Sequence, residues 1–159
     1  MTKQQAKAIL DTLHHAYNME IETVVNYLAA SINLDGVLAQ EIKESLAKDI
    51  DEELGHAKLL ANRIKILGGR AQGSMELKMT QKAMQPSDDL TDVVRVIKGV
   101  IAAEDDAIKG YEKLIEVSGD GVDPVTEDLA IQIMGDEQEH RREFVGFLRG
   151  FERHKFDKK

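Results

Sequence analysis

Six residues of the chain are of types that hold metal ions, and their spacing repeats. Glu20 precedes Glu53 by 33 positions, and Glu104 precedes Glu137 by the same 33. Each second glutamate is followed three residues later by a histidine, in Glu53-Leu54-Gly55-His56 and Glu137-Gln138-Glu139-His140. A constant offset of 84 residues carries the first set onto the second. Residues three apart on a helix share a face, so each Glu-x-x-His offers a carboxylate and an imidazole to one ion. Four carboxylates and two neutral imidazoles balance two divalent cations. Oxygen with imidazole nitrogen suits iron or manganese and also accommodates zinc.

The elements that must position these side chains are long helices. Apolar residues recur at helical spacing along four segments: Ile9 to Leu34, Val37 to Leu67, Leu90 to Ile115 and Leu129 to Phe151. Each stripe is interrupted where a leucine is expected, by Glu20, by Glu53 and His56, by Glu104, and by Glu137 and His140. An unpaired carboxylate in a bundle core costs several kcal/mol, so a whole layer of them requires bound cations. Asp35-Gly36, Gly68-Gly69, Pro86-Ser87-Asp88, Gly119-Asp120-Gly121 and Asp123-Pro124 punctuate the pattern. The predicted helices are about 4–34, 37–67, 88–118 and 124–152. Short loops make the first pair and the second pair antiparallel hairpins. The stretch from Gly69 to Ser87 is a crossover long enough to run along the bundle, with a helical turn expected near Glu76–Met84.

Composition agrees with one all-α domain spanning residues 1–159. The chain has two prolines, no cysteine and 4% aromatic residues, which excludes disulfides, thiolate metal sites and cysteine nucleophiles. No apolar run reaches the length of a membrane helix or a secretory signal, so a cytoplasmic protein is expected. A net charge of −8 argues against nucleic-acid binding and is compatible with attracting cations.

On these residues the chain resembles the ferritin-like superfamily, and most closely the bacterioferritins, over nearly its whole length. The resemblance implies a four-helix bundle of two hairpins joined by one long crossover. It also implies a carboxylate-bridged centre of two iron ions within each subunit. Glu53 and Glu137 would bridge the ions, Glu20 and Glu104 would be terminal ligands, and His56 and His140 would each hold one iron. Tyr27, two turns after Glu20, matches a tyrosine that can supply an electron in bacterioferritins, and a core tyrosine is the other reading of it. Tyr111 stands in the same relation to Glu104 and is read as packing. Of the carboxylates preceding the bridging glutamates, Asp136 is expected to hold the histidine of the other motif, and Glu52 to be solvated.

Two departures narrow the resemblance. Bacterioferritins bind haem through a methionine directly after the bridging glutamate of the second helix. That position here is Leu54, so no haem is expected. Only nineteen residues follow His140, too few for a fourth helix and the fifth helix of cages of twenty-four subunits. Dps mini-ferritins lack that helix and form shells of twelve, so a dodecamer is favoured over a 24-mer. Ile21, Val25, Leu28 and Leu59 form outward apolar stripes suited to a dimeric building block. The expected function is ferrous oxidation by dioxygen or hydrogen peroxide, feeding a storage shell. A rubrerythrin-like or manganese-catalase-like enzyme destroying peroxide is the alternative.

Overall fold

Residues 1–156 are described in a computed structural model, with side chains through Arg153; the expected tail from Phe151 to Lys159 therefore lies partly outside the described residues. Helix α1 (Lys3–Asn33) opens at a capping box: Gln5 N donates to Thr2 Oγ1 at 3.2 Å, and Thr2 N donates to Gln5 Oε1 at 2.7 Å. Helix α2 (Gln40–Ile66) starts three residues later than predicted, because Gly36 to Ala39 form a turn closed by Ala39 N to Gly36 O. Gly36 adopts a φ of 106°, and Val37, expected in the apolar stripe, is 98% exposed.

Helix α3 (Val93–Ser118) starts five residues later than predicted. The Asp89 side chain accepts from Thr91 N and Oγ1, so the chain turns there instead of entering the helix. Asp92 is the actual cap, accepting from Arg95 N at 3.0 Å. Helix α4 (Pro124–Phe156) runs four residues beyond the predicted end, and Phe147, Leu148 and Phe151 continue its contact with the core.

α1 packs along α2, α3 along α4, and α1 against α3, while α2 and α4 approach more sparsely. Asp35 N donates to Leu90 O at 2.8 Å, placing the start of α3 beside the end of α1, so these two helices run antiparallel. Between α2 and α3 the crossover follows α1 along its length. It holds two short 3₁₀ turns, Ser74–Glu76 and Lys82–Met84, in place of one helical turn. A polar face of α1 that the sequence reading did not anticipate straps it down. Asn18 exchanges hydrogen bonds with the Lys78 backbone, the buried Glu22 carboxylate accepts from Thr80 N and Gln81 N, and Asn26 bonds Gln81. The strap lies close against α3 as well: a Cβ on Gly99 would sit 2.6 Å from Ala83 O.

The core falls into two apolar clusters. One gathers Ile9, Leu13, Leu60, Ile64, Leu114 and Ile133, and the other Ile42, Leu46, Ile97, Val100 and Phe144. Each such side chain contributes roughly 1.5–3 kcal/mol on burial. On α3 the small buried residues Ala103 and Ala107 belong one to each cluster and flank Glu104, which lies in a buried polar layer. Among the described residues no helix is long and apolar enough to cross a membrane.

Candidate metal centre

The predicted six residues converge in that layer. Glu20 comes from α1, Glu53 and His56 from α2, Glu104 from α3, and Glu137 and His140 from α4, and all six are buried. They form two overlapping donor sets. Glu20, Glu53, His56 and Glu137 make one; Glu53, Glu104, Glu137 and His140 make the other. Glu53 and Glu137 belong to both, while each histidine and each remaining glutamate belongs to one.

Both imidazoles turn Nδ1 inward. His56 Nδ1 lies 3.1 Å from Glu137 Oε1, 3.7 Å from Glu53 Oε2 and 3.8 Å from Glu20 Oε2. His140 Nδ1 lies 3.3 Å from Glu53 Oε1, 3.7 Å from Glu137 Oε2 and 3.9 Å from Glu104 Oε1. Despite this crowding, both Nδ1 atoms, Glu53 Oε1 and both Glu137 oxygens make no hydrogen bond within the described residues. Buried polar atoms rarely go unpaired. Lone pairs of nitrogen and carboxylate oxygen aimed at a common space suit cations, so the residues present fit a pair of metal ions.

The outward nitrogens are held by carboxylates from the opposite motif. His56 Nε2 is 3.2 Å from Asp136 Oδ2, and His140 Nε2 is 2.7 Å from Glu52 Oε2. Glu52, expected to be solvated, thus makes the shorter of the two contacts. Tyr111 is likewise more than packing: its hydroxyl donates to Glu20, as that of Tyr27 donates to Glu104. The offset of 84 relates Tyr27 to Tyr111 and Glu52 to Asp136 as it relates the ligand-type residues, and that repeat was the signal in the sequence.

Without metal the layer partitions its protons. Burial, then the charge of Glu53, raises the Glu20 carboxyl well above its ordinary value; burial and Glu137 do the same to Glu104. Burial opposes charge on Glu53 as well, but the Glu20 carboxyl, His140 and His56 outweigh it and pull Glu53 down to about 2. Glu137 is lowered, against burial, by the two histidines and Glu104. Burial works against both imidazolium ions, yet the carboxylates around them raise His56 strongly and His140 to about 12. Without metal, Glu20, Glu104 and the two histidines therefore hold their protons more tightly than usual, while Glu53 and Glu137 release theirs more readily.

Two helical hairpins enclosing a layer of four glutamates and two histidines define a ferritin-like bundle. The chain belongs to the ferritin-like domain family, which matches residues 10–154. It is similar to the bacterioferritin of Desulfovibrio desulfuricans, with 26% identity over 132 residues, covering 83% of this chain and 69% of that protein. Among solved structures, it resembles a dodecameric thioferritin, the bacterioferritin-related protein of Bacteroides fragilis. The TM-score there is 0.85 at 23% identity, over 96% of this chain and 90% of the other. A ferritin-like diiron-carboxylate protein of Bacillus anthracis superposes with a TM-score of 0.81 at 23% identity, over 93% and 99% of the two chains.

Proposed function

We propose that the protein is a ferroxidase that binds two ferrous ions per chain between its four helices, oxidises them and stores the iron. The observation that carries this reading is the pair of donor sets sharing Glu53 and Glu137, with inward-facing atoms that have no other partner. Glu53 and Glu137 each offer one oxygen to each ion, Glu20 and Glu104 complete the two ends, and His56 and His140 supply Nδ1. When bound, the ferrous ions are the substrate and supply the electrons that reduce dioxygen or hydrogen peroxide.

The chain's own residues prepare this chemistry. Asp136 and Glu52 accept from the Nε2–H groups, which keeps the lone pair of each imidazole on Nδ1. Tyr27 and Tyr111 hold Glu104 and Glu20 in place through their hydroxyls. Tyr27 is also close enough to the layer to serve as an electron donor. The apolar clusters on either side keep bulk water from the ions.

A homo-oligomeric shell completes the reading. Val25, Leu28 and Ile32 on α1 and Leu59 and Ile66 on α2 are exposed, and apolar patches of this kind mark interfaces. Ile21, from the same expected stripe, is half-buried. The bacterioferritin-related protein of Bacteroides fragilis is dodecameric, and twelve subunits are favoured here. Haem is not part of the proposal, because Leu54 carries no sulfur.

Anaerobic ferrous titration followed by dioxygen or peroxide, beside light scattering, tests the whole reading. Two oxidised ions per chain and a mass near twelve times 17.7 kDa are expected. Glu53→Ala and Glu137→Ala should each abolish fast oxidation, because each removes a donor from both ions. Wild-type rates in either variant refute the assignment. Rapid peroxide turnover without net iron uptake favours the peroxide-destroying alternative.

A further inference from the structure

The crossover between α2 and α3 is held to the bundle by two different means. As far as Gln81 its tethers are polar: Asn18, Glu22 and Asn26 on α1 hydrogen-bond Lys78, Thr80 and Gln81. From Lys82 to Thr91 the segment rests on one side chain. Met84 is the one buried residue between Ile64 and Val93, and the second 3₁₀ turn inserts it into the apolar cluster of Ile42, Leu46, Ile97, Val100 and Phe144. Gly99 on α3 makes room for it, since a Cβ there would sit 3.0 Å from Met84 Sδ. The hydrogen bonds of this stretch to the helices are few and long, Gln85 Nε2 to Asn26 Oδ1 at 3.5 Å and Arg95 Nη1 to Ser87 Oγ at 3.3 Å.

Met84 also borders empty space. A cavity of about 40 Å³ lies between the end of α1, the crossover and the start of α3, with Met84, Ala30, Leu34 and Val96 among its walls. That is room for a molecule the size of water. Exposed Gln85, Pro86, Asp89 and Arg95 line it as well, so it opens to solvent. The thioether is thus shielded from bulk water and within reach of a molecule as small as hydrogen peroxide. Met75 and Met79, on the same crossover, are exposed and lie outside both core clusters, so they serve as internal controls.

We propose that Met84 is a peroxide-responsive latch, whose oxidation to the sulfoxide frees Lys82–Thr91 from the bundle. The sulfur lone pair attacks one oxygen of hydrogen peroxide. An S–O bond forms, the O–O bond breaks, and after one proton shift the second oxygen leaves as water. The sulfur loses two electrons and the peroxide gains them. The product carries a strongly polar S–O group where the thioether lay among apolar side chains, and burying such a group without a partner is costly. The tethers at Glu22 and Asn26 and the Asp92 cap keep their partners, so opening is confined to the segment between Gln81 and Asp92. Opening bares the α3 face around Gly99 and marks a chain that has met excess peroxide. The latch uses an oxidant named in the proposed function, but it does not depend on the metal centre.

Treatment of the full-length protein with graded hydrogen peroxide, quenched with catalase, tests it by peptide mass spectrometry and limited thermolysin digestion. One oxygen added at Met84 should raise cleavage within Lys82–Thr91 roughly tenfold or more, because cleavage follows the population of the open segment. Reduction by methionine sulfoxide reductases should restore resistance. Met84→Leu keeps the apolar volume and should show no peroxide-induced cleavage, while Met75 and Met79 oxidise as in wild type. A variant with both Met75→Leu and Met79→Leu, which leaves the core untouched, should respond as wild type does. Met84 unmodified when Met75 and Met79 are fully oxidised overturns the proposal. So does a Met84 sulfoxide without faster cleavage, or a response lost in the double variant.

Discussion

The two helical hairpins carry the same centre and different surroundings. Glu20, Tyr27, Glu52, Glu53 and His56 have counterparts in Glu104, Tyr111, Asp136, Glu137 and His140, each 84 residues on. Each tyrosine holds the glutamate of the other hairpin, and each outer carboxylate holds the other hairpin's histidine. Away from these residues the repeat dissolves: Asp49 is matched by Ile133, and Ala39 at the start of α2 by Asp123 at the start of α4. Two equivalent ions, as proposed, would enforce equivalent ligands and supports. Neighbouring core positions and helix ends are under no such constraint, and there the halves have diverged.

The largest effect that probes this equivalence is expected in the pH dependence of stability. Glu20 and Glu104 have raised carboxyls and His56 and His140 raised imidazoles. Their contribution to metal-free stability is full below the ordinary values of 4.5 and 6.5 and is lost as pH rises through the folded values. Glu53 and Glu137 act in the opposite sense. Their contribution is present above 4.5 and lost as pH falls, towards about 2 for Glu53. Metal-free protein should therefore be most stable in mild acid. Metal competes with the protons, so the gap in melting temperature between loaded and metal-free protein should widen from about pH 5 to about pH 8. Glu20→Gln and Glu104→Gln should flatten the metal-free slope equally. Unequal flattening breaks the equivalence of the halves, and unchanged slopes in both remove the proton partition.

A smaller effect separates the outer carboxylates. Glu52→Gln and Asp136→Asn each weaken the orientation of a histidine, and losses of roughly 10–100-fold in metal affinity are expected for such partners. The Glu52 change should be the larger. Its contact is shorter, 2.7 Å against 3.2 Å, and its side chain is 42% exposed against 60% for Asp136. Calorimetry with zinc resolves the two steps. Equal losses would mean that exposure and length do not govern the support.

The cluster of Glu20, Glu53, His56, Glu104, Glu137 and His140 was legible in the sequence because metal-binding chemistry would fix both residue type and spacing. A carboxylate in an apolar stripe stands out, and the repeat doubles the signal. Tyr111 and Glu52 were misjudged for opposite reasons. A tyrosine in a core stripe reads as packing, and a glutamate on an acidic helix reads as solvated. Only the three-dimensional pairing across hairpins shows what their oxygens meet. The early starts predicted for α2 and α3 failed where local hydrogen bonds, Ala39 N to Gly36 O and Thr91 N to Asp89, compete with the helix. The strap formed by Asn18, Glu22 and Asn26 was invisible, since its partners are backbone groups and the Gln81 side chain of an irregular crossover.

The smallest effect lies at the helix starts, where the halves share least. Ala39 gives α2 no side-chain cap. Asp123 caps α4 by accepting from Thr126 N at 3.3 Å and Thr126 Oγ1 at 2.7 Å, and it meets Arg63 Nη2 at 2.5 Å. That ion pair is shielded, with side chains 12% and 8% exposed, and it pins the end of α2 to the start of α4. Burial alone would raise the Asp123 carboxyl, but Arg63 and Thr126 outweigh it and hold the carboxyl below its ordinary value of 3.8. A lowered carboxyl stabilises the fold above that value, and the contribution is lost as pH falls below it. Asp123→Ala should therefore cost about 0.5–2 kcal/mol at neutral pH, the range for losing a cap. The difference from wild type should shrink in acid as the wild-type carboxyl takes up its proton. Denaturant melts at neutral pH and near pH 3 measure both quantities. A cost that persists unchanged in acid would show that the cap works through backbone geometry alone, without the charge shared between Asp123 and Arg63.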